Sequence, residues 1–453
     1  MTFLKISLYL YVNKLKEEFI MFLTTKVHIN EHNRDGIDTK VLRQLCYHCA
    51  RLYNVGLYNV RQHYFNTGEY LTYNGSYKEA KPNENYTLLL TDIGQQVLRL
   101  VDRDFHSFFN LLLLKKSGRY SEKVRLPHYK DKEGLMTCPV MGRSVRLKNG
   151  KVKIGLTKEF RELYGISYSH LYFTIPQNLT DVNEFKELRI VPMMNGKEFD
   201  VEFVYESREV KLIPQDAEGY LSIDIGLDNL MACSIFSNGE SHQYLIDGRK
   251  LKAINAYYNK MKSKLQGEYS KNKSIDGLDT RRMRRLSNGR RNRINDYLNR
   301  AVNKIVDLCF QYNVKTVVIG YNKEMKLGIN IGRVNNQNFV SIPYLNLRSK
   351  LQSKCELHGI VYAPQEESYT SKASSIDLDA IPVYDAEDKT EYAFSGKRVK
   401  RGLYRSKEGL LLNADINGSV NILRKYIKEC NLKELSSDRI RALVNAPCQR
   451  IRL

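Results

Sequence analysis

The sequence predicts a multidomain α/β protein: a β-barrel-like or sheet platform carrying a helical insertion, then a separate α/β unit. Three observations predict it. Residues 118–218 hold short alternating apolar runs separated by Gly, Pro and Asn, which is a strand-rich pattern, and a long helical stretch precedes them. From Gly219 onward the order reads strand, hairpin, helix, strand, helix, strand, helix. The chain has 453 residues, 42 % of them hydrophobic and 10 % aromatic, which suits a folded protein of two to four domains at roughly 100–200 residues each.

Taken in order, residues 1–20 read as an upstream extension with Met21 as the start. Lys5 before the apolar run Ile6–Val12 faintly suggests a signal peptide, but Lys14, Lys16, Glu17 and Glu18 follow and there is no small-residue cleavage site. Residues 22–30 alternate as a strand. A helix follows over Thr39–Phe65, and Tyr86–Leu114 gives one or two more, with an apolar stripe of Val97, Leu100, Val101, Phe105, Phe108, Phe109 and Leu112. Cys46 and Cys49 share a helical face with Leu42, Leu45 and Leu52, so they read as core residues. Val152–Leu156, Leu171–Ile175, Leu188–Met193 and Phe199–Tyr205 are the strands that follow.

In the second unit, Tyr220–Gly226 is an apolar strand holding Asp224, and Met231–Phe236 with His242–Ile246 continue it as a meander. Residues 249–304 contain 17 Lys and Arg against four Asp and Glu. They are helix-compatible from Leu251 to Phe310, with a break at Ser270–Gly277. Val314–Gly320 is a β-branched strand. Pro343–His358 is an amphipathic helix with Leu345, Leu347, Leu351 and Leu357, stopped by Gly359. Gly359–Pro364 is a short strand. Asn413–Ile427 is a last helix with Ile416, Val420, Leu423 and Ile427 on one face. The final 25 residues read as a basic, weakly structured tail.

Lys and Arg number 72 against 50 Asp and Glu, a formal net charge of +22. Such a balance points to a polyanionic partner, nucleic acid before membrane. No apolar run approaches the roughly 20 residues of a membrane span. The eight cysteines are scattered, which suits a reducing cytosol and a cytoplasmic, nucleoid-associated protein. Arg281, Arg282, Arg284, Arg285, Arg290, Arg291 and Arg293 are the densest cluster and the candidates for nucleic-acid contact.

Three acids sit on separate elements. Asp224 lies between Ile223 and Ile225 in a strand that reads as buried, where a carboxylate needs a partner or a metal. Asp415 is on the first turn of the last helix, a position the helix dipole alone favours. Glu366 and Glu367 end the Gly359–Pro364 strand, where glutamates are ordinarily solvated. Divalent-metal phosphodiesterases use carboxylates converging from distant chain segments, so the residues leave a structural and a metal-binding reading both open.

Ser222-Ile-Asp-Ile-Gly-Leu-Asp-Asn-Leu230 resembles the first motif of the RuvC nuclease domain in the TnpB (OrfB) family of transposon-encoded, RNA-guided DNA endonucleases. Thr316–Lys323 resembles the second-motif strand, Asn335–Pro343 the approach to the following helix, Glu366–Lys372 and Gly396–Gly402 the zinc-ribbon region, and Asn413–Ile422 the third motif. Upstream, Tyr53–Arg61 and Gly94–Arg99 also fit. The resemblance covers about residues 22–453. It implies an N-terminal wedge-type β-barrel over 21–218 with a helical recognition insertion at about 39–115. An RNase H-like (RuvC) domain then spans 219–365 and 413–428, with a basic helical insertion at about 249–304. A degenerate ribbon at 366–412 and a tail at 429–453 complete the division.

Two departures shape the expectations. The family's second-motif strand commonly ends in a catalytic glutamate, where this chain has Gly320. Glu367 is the expected replacement, with Glu366 the alternative and Glu324 a further candidate on a loop. The catalytic and metal set is thus Asp224, Glu367 and Asp415 with two Mg²⁺ ions. The family's ribbon carries paired cysteines, where this chain reads Ser371-Lys-Ala-Ser374, so no zinc is expected. Asp377, Asp379, Asp385, Glu387 and Asp388 then read as surface solubility, and the segment as a metal-free hairpin. The implied function is Mg²⁺-dependent cleavage of double-stranded DNA matched to a guide RNA from the transposon end. The alternatives are an RNA-guided regulator that does not cut and a basic DNA-binding accessory protein without a guide.

Overall fold

The computed structural model describes residues 22–182, 184–206, 210–270, 280–321, 342–384, 390–400 and 402–453. The upstream extension, Glu324, most of the Asn335–Pro343 motif, and Asp385, Glu387 and Asp388 lie outside the described residues. The chain divides into two compact units, up to residue 208 and from residue 209.

The first unit begins with β1 (Phe22–Ile29), then α1 (Thr39–Thr67), α2 (Tyr73–Ala80) and α3 (Thr91–Lys116). Asp38 caps α1 by accepting from the Lys40 N–H, and Gly68 ends it. Strands β2 (Cys138–Met141), β3 (Arg146–Lys148), β4 (Lys151–Gly155), β5 (His170–Thr174), β6 (Glu187–Met193) and β7 (Glu198–Glu206) follow. They pair as two antiparallel sheets, β1-β7-β6-β2 and β3-β4-β5. Among the described residues no ladder joins the two sheets, so the expected wedge-type β-barrel is represented by two separate antiparallel sheets. Cys46 and Cys49 are buried in this unit's core with Cys138. Burial pushes the Cys46 and Cys49 thiols up, so they behave as small apolar side chains.

The second unit is built on β8 (Gly219–Ile225), β9 (Asn229–Ser237) and β10 (Glu240–Asp247). Then come α4 (Arg249–Ser270), α5 (Arg281–Gln311), β11 (Val314–Tyr321), α6 (Tyr344–Leu357) and β12 (Val361–Glu366). The chain finishes with β13 (Lys397–Lys400), β14 (Leu403–Arg405), β15 (Leu411–Asn413), α7 (Ala414–Glu429), α8 (Ser437–Asn445) and β16 (Cys448–Ile451). Six strands form one mixed sheet in the order β12-β11-β8-β9-β10-β16. β11 lies parallel to both β8 and β12, while β8, β9 and β10 are an antiparallel meander.

Strand alternation sorts the two faces. Leu221, Ile223 and Ile225 of β8 join Leu298, Val302 and Ile305 of α5 and Leu347 and Leu351 of α6 in one core. On the other face Ile416, Val420, Leu423 and Ile427 of α7 pack against Val318, Ala232 and Phe236. Asp224 therefore points to the α7 side. The buried stripe of α6 is Tyr344, Leu347, Leu351 and Cys355, while Leu345 is exposed. The helical period from Leu347 selects Leu351 and Cys355, and Leu345 falls on the opposite face.

Two expectations need correction. The last residues are not a loose tail: α8 buries Ile440 and Leu443, and β16 adds to the sheet parallel to β10. The sequence of β16, Cys-Gln-Arg-Ile, hides its strand because it is an edge strand with exposed, non-alternating side chains. Asp377 and Asp379 are not simply solubilising either. The β13-β14-β15 sheet is short and largely exposed, with Tyr404 its main buried residue. Asp377 accepts from the Ser374 hydroxyl at 2.6 Å and the Lys407 N–H at 2.9 Å. Asp379 accepts from the Ser374 N–H at 2.7 Å, the Ser395 N–H at 3.1 Å and the Ser395 hydroxyl at 2.5 Å. The two carboxylates thus tie three separate stretches of backbone together where the apolar core is too small to do so.

Asp379→Ala should weaken this tie by roughly 2 kcal/mol. Hydrogen exchange should then lose protection at the Ser374 and Ser395 amides while the six-stranded sheet stays protected. Unchanged protection at both amides would refute the assignment.

Candidate active site

Each acid is carried to the site by a different element. Asp224 lies one residue from the end of β8, between β11 and β9. Glu367 directly follows β12, and β12 pairs with β11 so that Gly320 stands opposite Gln365. Asp415 sits in the first turn of α7, whose cap Asn413 accepts from the Asp415 and Ile416 N–H groups at 3.0 and 3.2 Å.

Two glycines make the convergence possible. A Cβ at Gly418 would lie 2.5 Å from Asp224 Oδ2, so α7 approaches β8 closely only because that side chain is missing. A Cβ at Gly320 would overlap Glu367 Oε2 and lie 2.7 Å from Ile422 Cδ1. The Glu367 carboxylate thus occupies the space that a side chain on β11 would fill.

The two adjacent glutamates separate cleanly. Glu366 accepts from Lys425 Nζ at 2.5 Å and from the Ser368 N–H at 2.5 Å. Burial alone would raise its pKa, but these two donors outweigh it and hold the carboxyl below its ordinary value. Glu367 has the opposite fate: burial, then the neighbouring Glu366 charge, push it up to about 7 against the pull of Arg348 and Lys425. Asp224 keeps part of its surface accessible, yet burial is the largest influence on it. Burial, then the Glu367 and Asp415 charges, raise its carboxyl well above the usual range, with Arg398 opposing.

Asp415 is held differently. Its Oδ2 accepts from Asn229 Nδ2 at 2.7 Å, and its Oδ1 faces Arg398 Nη2 of β13 at 3.4 Å. Asn229 is itself fixed by Arg450 of β16, whose Nη1 donates to Asn229 Oδ1 at 2.8 Å. Among the described residues, no three His, Cys, Asp or Glu side chains stand close enough as they are to hold a metal ion. The donor set is nevertheless all carboxylate oxygen, which suits a hard divalent cation. The crowding of Asp224 and Glu367 around two missing Cβ atoms also leaves a negative cradle that such a cation would relieve.

Sequence reading missed Asn229, Arg398, Arg450 and Lys425. It also missed why α7 carries so many asparagines. Asn417 donates to the Ala373 carbonyl at 2.8 Å and accepts from the Ser375 N–H at 3.0 Å. Asn421 donates to the Thr370 and Ala373 carbonyls at 2.9 and 2.7 Å. Ser419 meets Ser234 of β9 at 2.5 Å. The fully buried Asn417 and Asn421 anchor the chain that follows Glu367, and Ser419 ties α7 to β9. The four-residue spacing Asn413, Asn417, Asn421 along one side of the helix was the available signal. Of the arginine cluster, Arg281, Arg282, Arg285 and Arg293 are exposed on α5, while Arg284, Arg290 and Arg291 are half-buried.

The family model OrfB_IS605, described as a probable transposase, matches residues 202–326, which carry Asp224 and the basic helices. A second model, the Cas12f1-like TNB domain, matches residues 344–422, which carry Glu367 and Asp415. The TnpB-like protein ORF457 of Acidianus two-tailed virus is 23 % identical over 417 residues, covering 87 % of this chain and 85 % of that protein. The chain is thus similar to the TnpB family along most of its length. Its fold is similar to that of Cas12f1 in a Cas12f1–sgRNA–target DNA complex, with a TM-score of 0.53 at 14 % identity over 85 % of this chain and 82 % of that one. The likeness is one of fold, and the six-stranded sheet of the second unit is of the mixed kind. No described helix is long and apolar enough to cross a membrane.

The raised Glu367 pKa fixes a pH dependence. The folded carboxyl binds its proton up to about 7, against 4.5 for the ordinary group. Stability from this residue is therefore full below about pH 4.5 and lost as the pH rises through 7. In EDTA at pH 8, Glu367→Gln should unfold at higher denaturant than the parent, by on the order of 2 kcal/mol. The difference should vanish below pH 4.5, and equal midpoints at both pH values would contradict the placement.

Proposed function

We propose that this chain is a TnpB family member and an RNA-guided DNA endonuclease associated with a transposable element, and that its second unit is an RNase H-like nuclease domain. One observation carries the reading: Glu367 fills the place of the side chain missing at Gly320, beside Asp224. An acid at the end of β12, in place of one on β11, would complete a three-carboxylate site. A structural role for Glu367 would not require the space at Gly320 to be kept open.

Asp224, Glu367 and Asp415 would hold the divalent cation, with Mg²⁺ the expected ion. When bound, Mg²⁺ supplies an activated water and neutralises charge at the departing oxygen of a DNA phosphodiester. The chain's own part is positional. Asn229 fixes one oxygen of Asp415, and Arg450 fixes Asn229. Lys425 holds Glu366 away, so that only Glu367 faces Asp224. Arg398 brings a guanidinium to the edge of the acids, where it would meet the backbone phosphate of the substrate strand. The exposed arginines of α5 would bind phosphates further along the nucleic acid. The solved Cas12f1 complex of similar fold contains an sgRNA and target DNA, which supports guide RNA and double-stranded DNA as the two partners. Sequence recognition would then rest on base pairing rather than on protein contacts.

With its guide RNA and a matched plasmid, the protein should cut DNA in Mg²⁺. Asp224→Ala and Glu367→Ala should each reduce cutting by more than about a hundredfold, beyond what loss of a supporting residue does. Gly320→Glu placed in the Glu367→Ala background should restore much of it, because it returns the acid to the same space from the neighbouring strand. Cutting that survives Asp224→Ala would remove this acid from the reaction, and a guide-bound complex that never cuts would favour the binding-only reading.

DNA affinity should also fall steeply with salt. Removing Arg285 or Arg293 should lower the log–log slope by about 0.9 each, since each would contact one phosphate. A salt-independent affinity would remove the phosphate role from α5.

A further inference from the structure

Helices α4 and α5 enclose a cavity of about 410 Å³ that the proposed reaction does not use. Its floor is apolar, from Met261 and Leu265 of α4 and Leu286 of α5. Tyr257, 54 % exposed, and Tyr258 supply an aromatic wall. Arg290 lies over the Tyr258 ring at 5.1 Å and donates to Asn255 at 2.7 Å, which locks that ring in place. Arg282, Arg285 and Arg293 stand around the rim.

The fourth feature is Gly289, near the middle of the wall contributed by α5. A Cβ there would meet nothing within 4 Å, so no packing demands a glycine. Glycine in the interior of a helix is destabilising relative to alanine. What its absence of a side chain does provide is the open space of the cavity itself. Flat aromatic and apolar surfaces accept a nucleobase by stacking, and the arginines around them match the phosphates on either side. A helix pair that only tracked a duplex backbone would need the arginines but neither the cavity nor the glycine.

We propose that this cavity receives an unpaired base of a single-stranded nucleic acid, with Tyr257 stacking on it and the rim arginines holding the adjoining phosphates. The inference rests on the nucleic-acid reading of the α5 arginines, and deepens it from charge neutralisation to recognition of an unstacked base.

The test uses the full-length protein in EDTA, so that no cleavage intervenes. The probes are fluorescein-labelled thymidine and uridine oligomers and a base-free oligomer of the same length, its sugars replaced by tetrahydrofuran. The intact protein should prefer a base-bearing oligomer by about tenfold, the scale of one stacked base. Gly289→Leu, which fills the cavity, and Tyr257→Ala should bring that preference close to unity while leaving the salt slope unchanged. Gly289→Leu should also unfold at a temperature equal to or above that of the parent, which separates a blocked cavity from a damaged fold. The uridine and thymidine arms tell whether RNA or DNA is the preferred strand. Equal binding of base-bearing and base-free oligomers by the parent, or a preference that survives both substitutions, would overturn the proposal. A parent dimer that dissociates on Gly289→Leu, without any base preference, would assign the cavity to a second copy and overturn it too. Loss of all oligomer binding at moderate salt would instead defeat the underlying nucleic-acid reading.

Discussion

The second unit depends on a repulsion that the fold does not relieve by itself. Glu367, at the end of β12, and Asp415, at the start of α7, are brought within electrostatic reach of Asp224 on β8. Burial makes this worse, since it removes the water that would screen them. Much of the surrounding structure exists to hold that arrangement. Gly418 and Gly320 give up their side chains to make room, and the buried asparagines of α7 anchor the segment behind Glu367. A site assembled against its own charge is strained as it stands, and the cation proposed above would relieve that strain.

The supporting groups come from parts of the chain that look peripheral. Arg450 is three residues from Leu453 in sequence, yet it sets the orientation of Asn229 and so of Asp415. Arg398 comes from a small sheet whose integrity rests on Asp377 and Asp379 rather than on an apolar core. Changes in either place would therefore reach the carboxylates without touching them.

How far the sequence revealed this depends on the range of the forces involved. Strands 219–225 and 314–321 and helix 414–429 were legible because burial imposes period-2 and period-3.6 patterns on local sequence. Asp224 stood out as an acid in an apolar strand, whereas Asp415 at its helix start stood out through the motif around it. The choice between Glu366 and Glu367 was not legible, because Lys425 lies 59 residues from Glu366 and no local pattern reports that contact. β16 was hidden by the exposed, basic character of an edge strand, and the closed N-terminal barrel was an expectation that ladder pairing does not display. The arginine run was obvious as charge. Gly289 within it became meaningful only once α4 supplied the facing wall.

The most direct measurement is a structure of the guide-bound protein soaked in Mn²⁺, with the ion located by anomalous scattering. The account predicts Mn²⁺ between Asp224, Glu367 and Asp415, with Asp415 Oδ1 released from Arg398 and Glu366 still on Lys425. Mn²⁺ absent from these carboxylates, with Asp415 retained by Arg398 and Asn229, would contradict it.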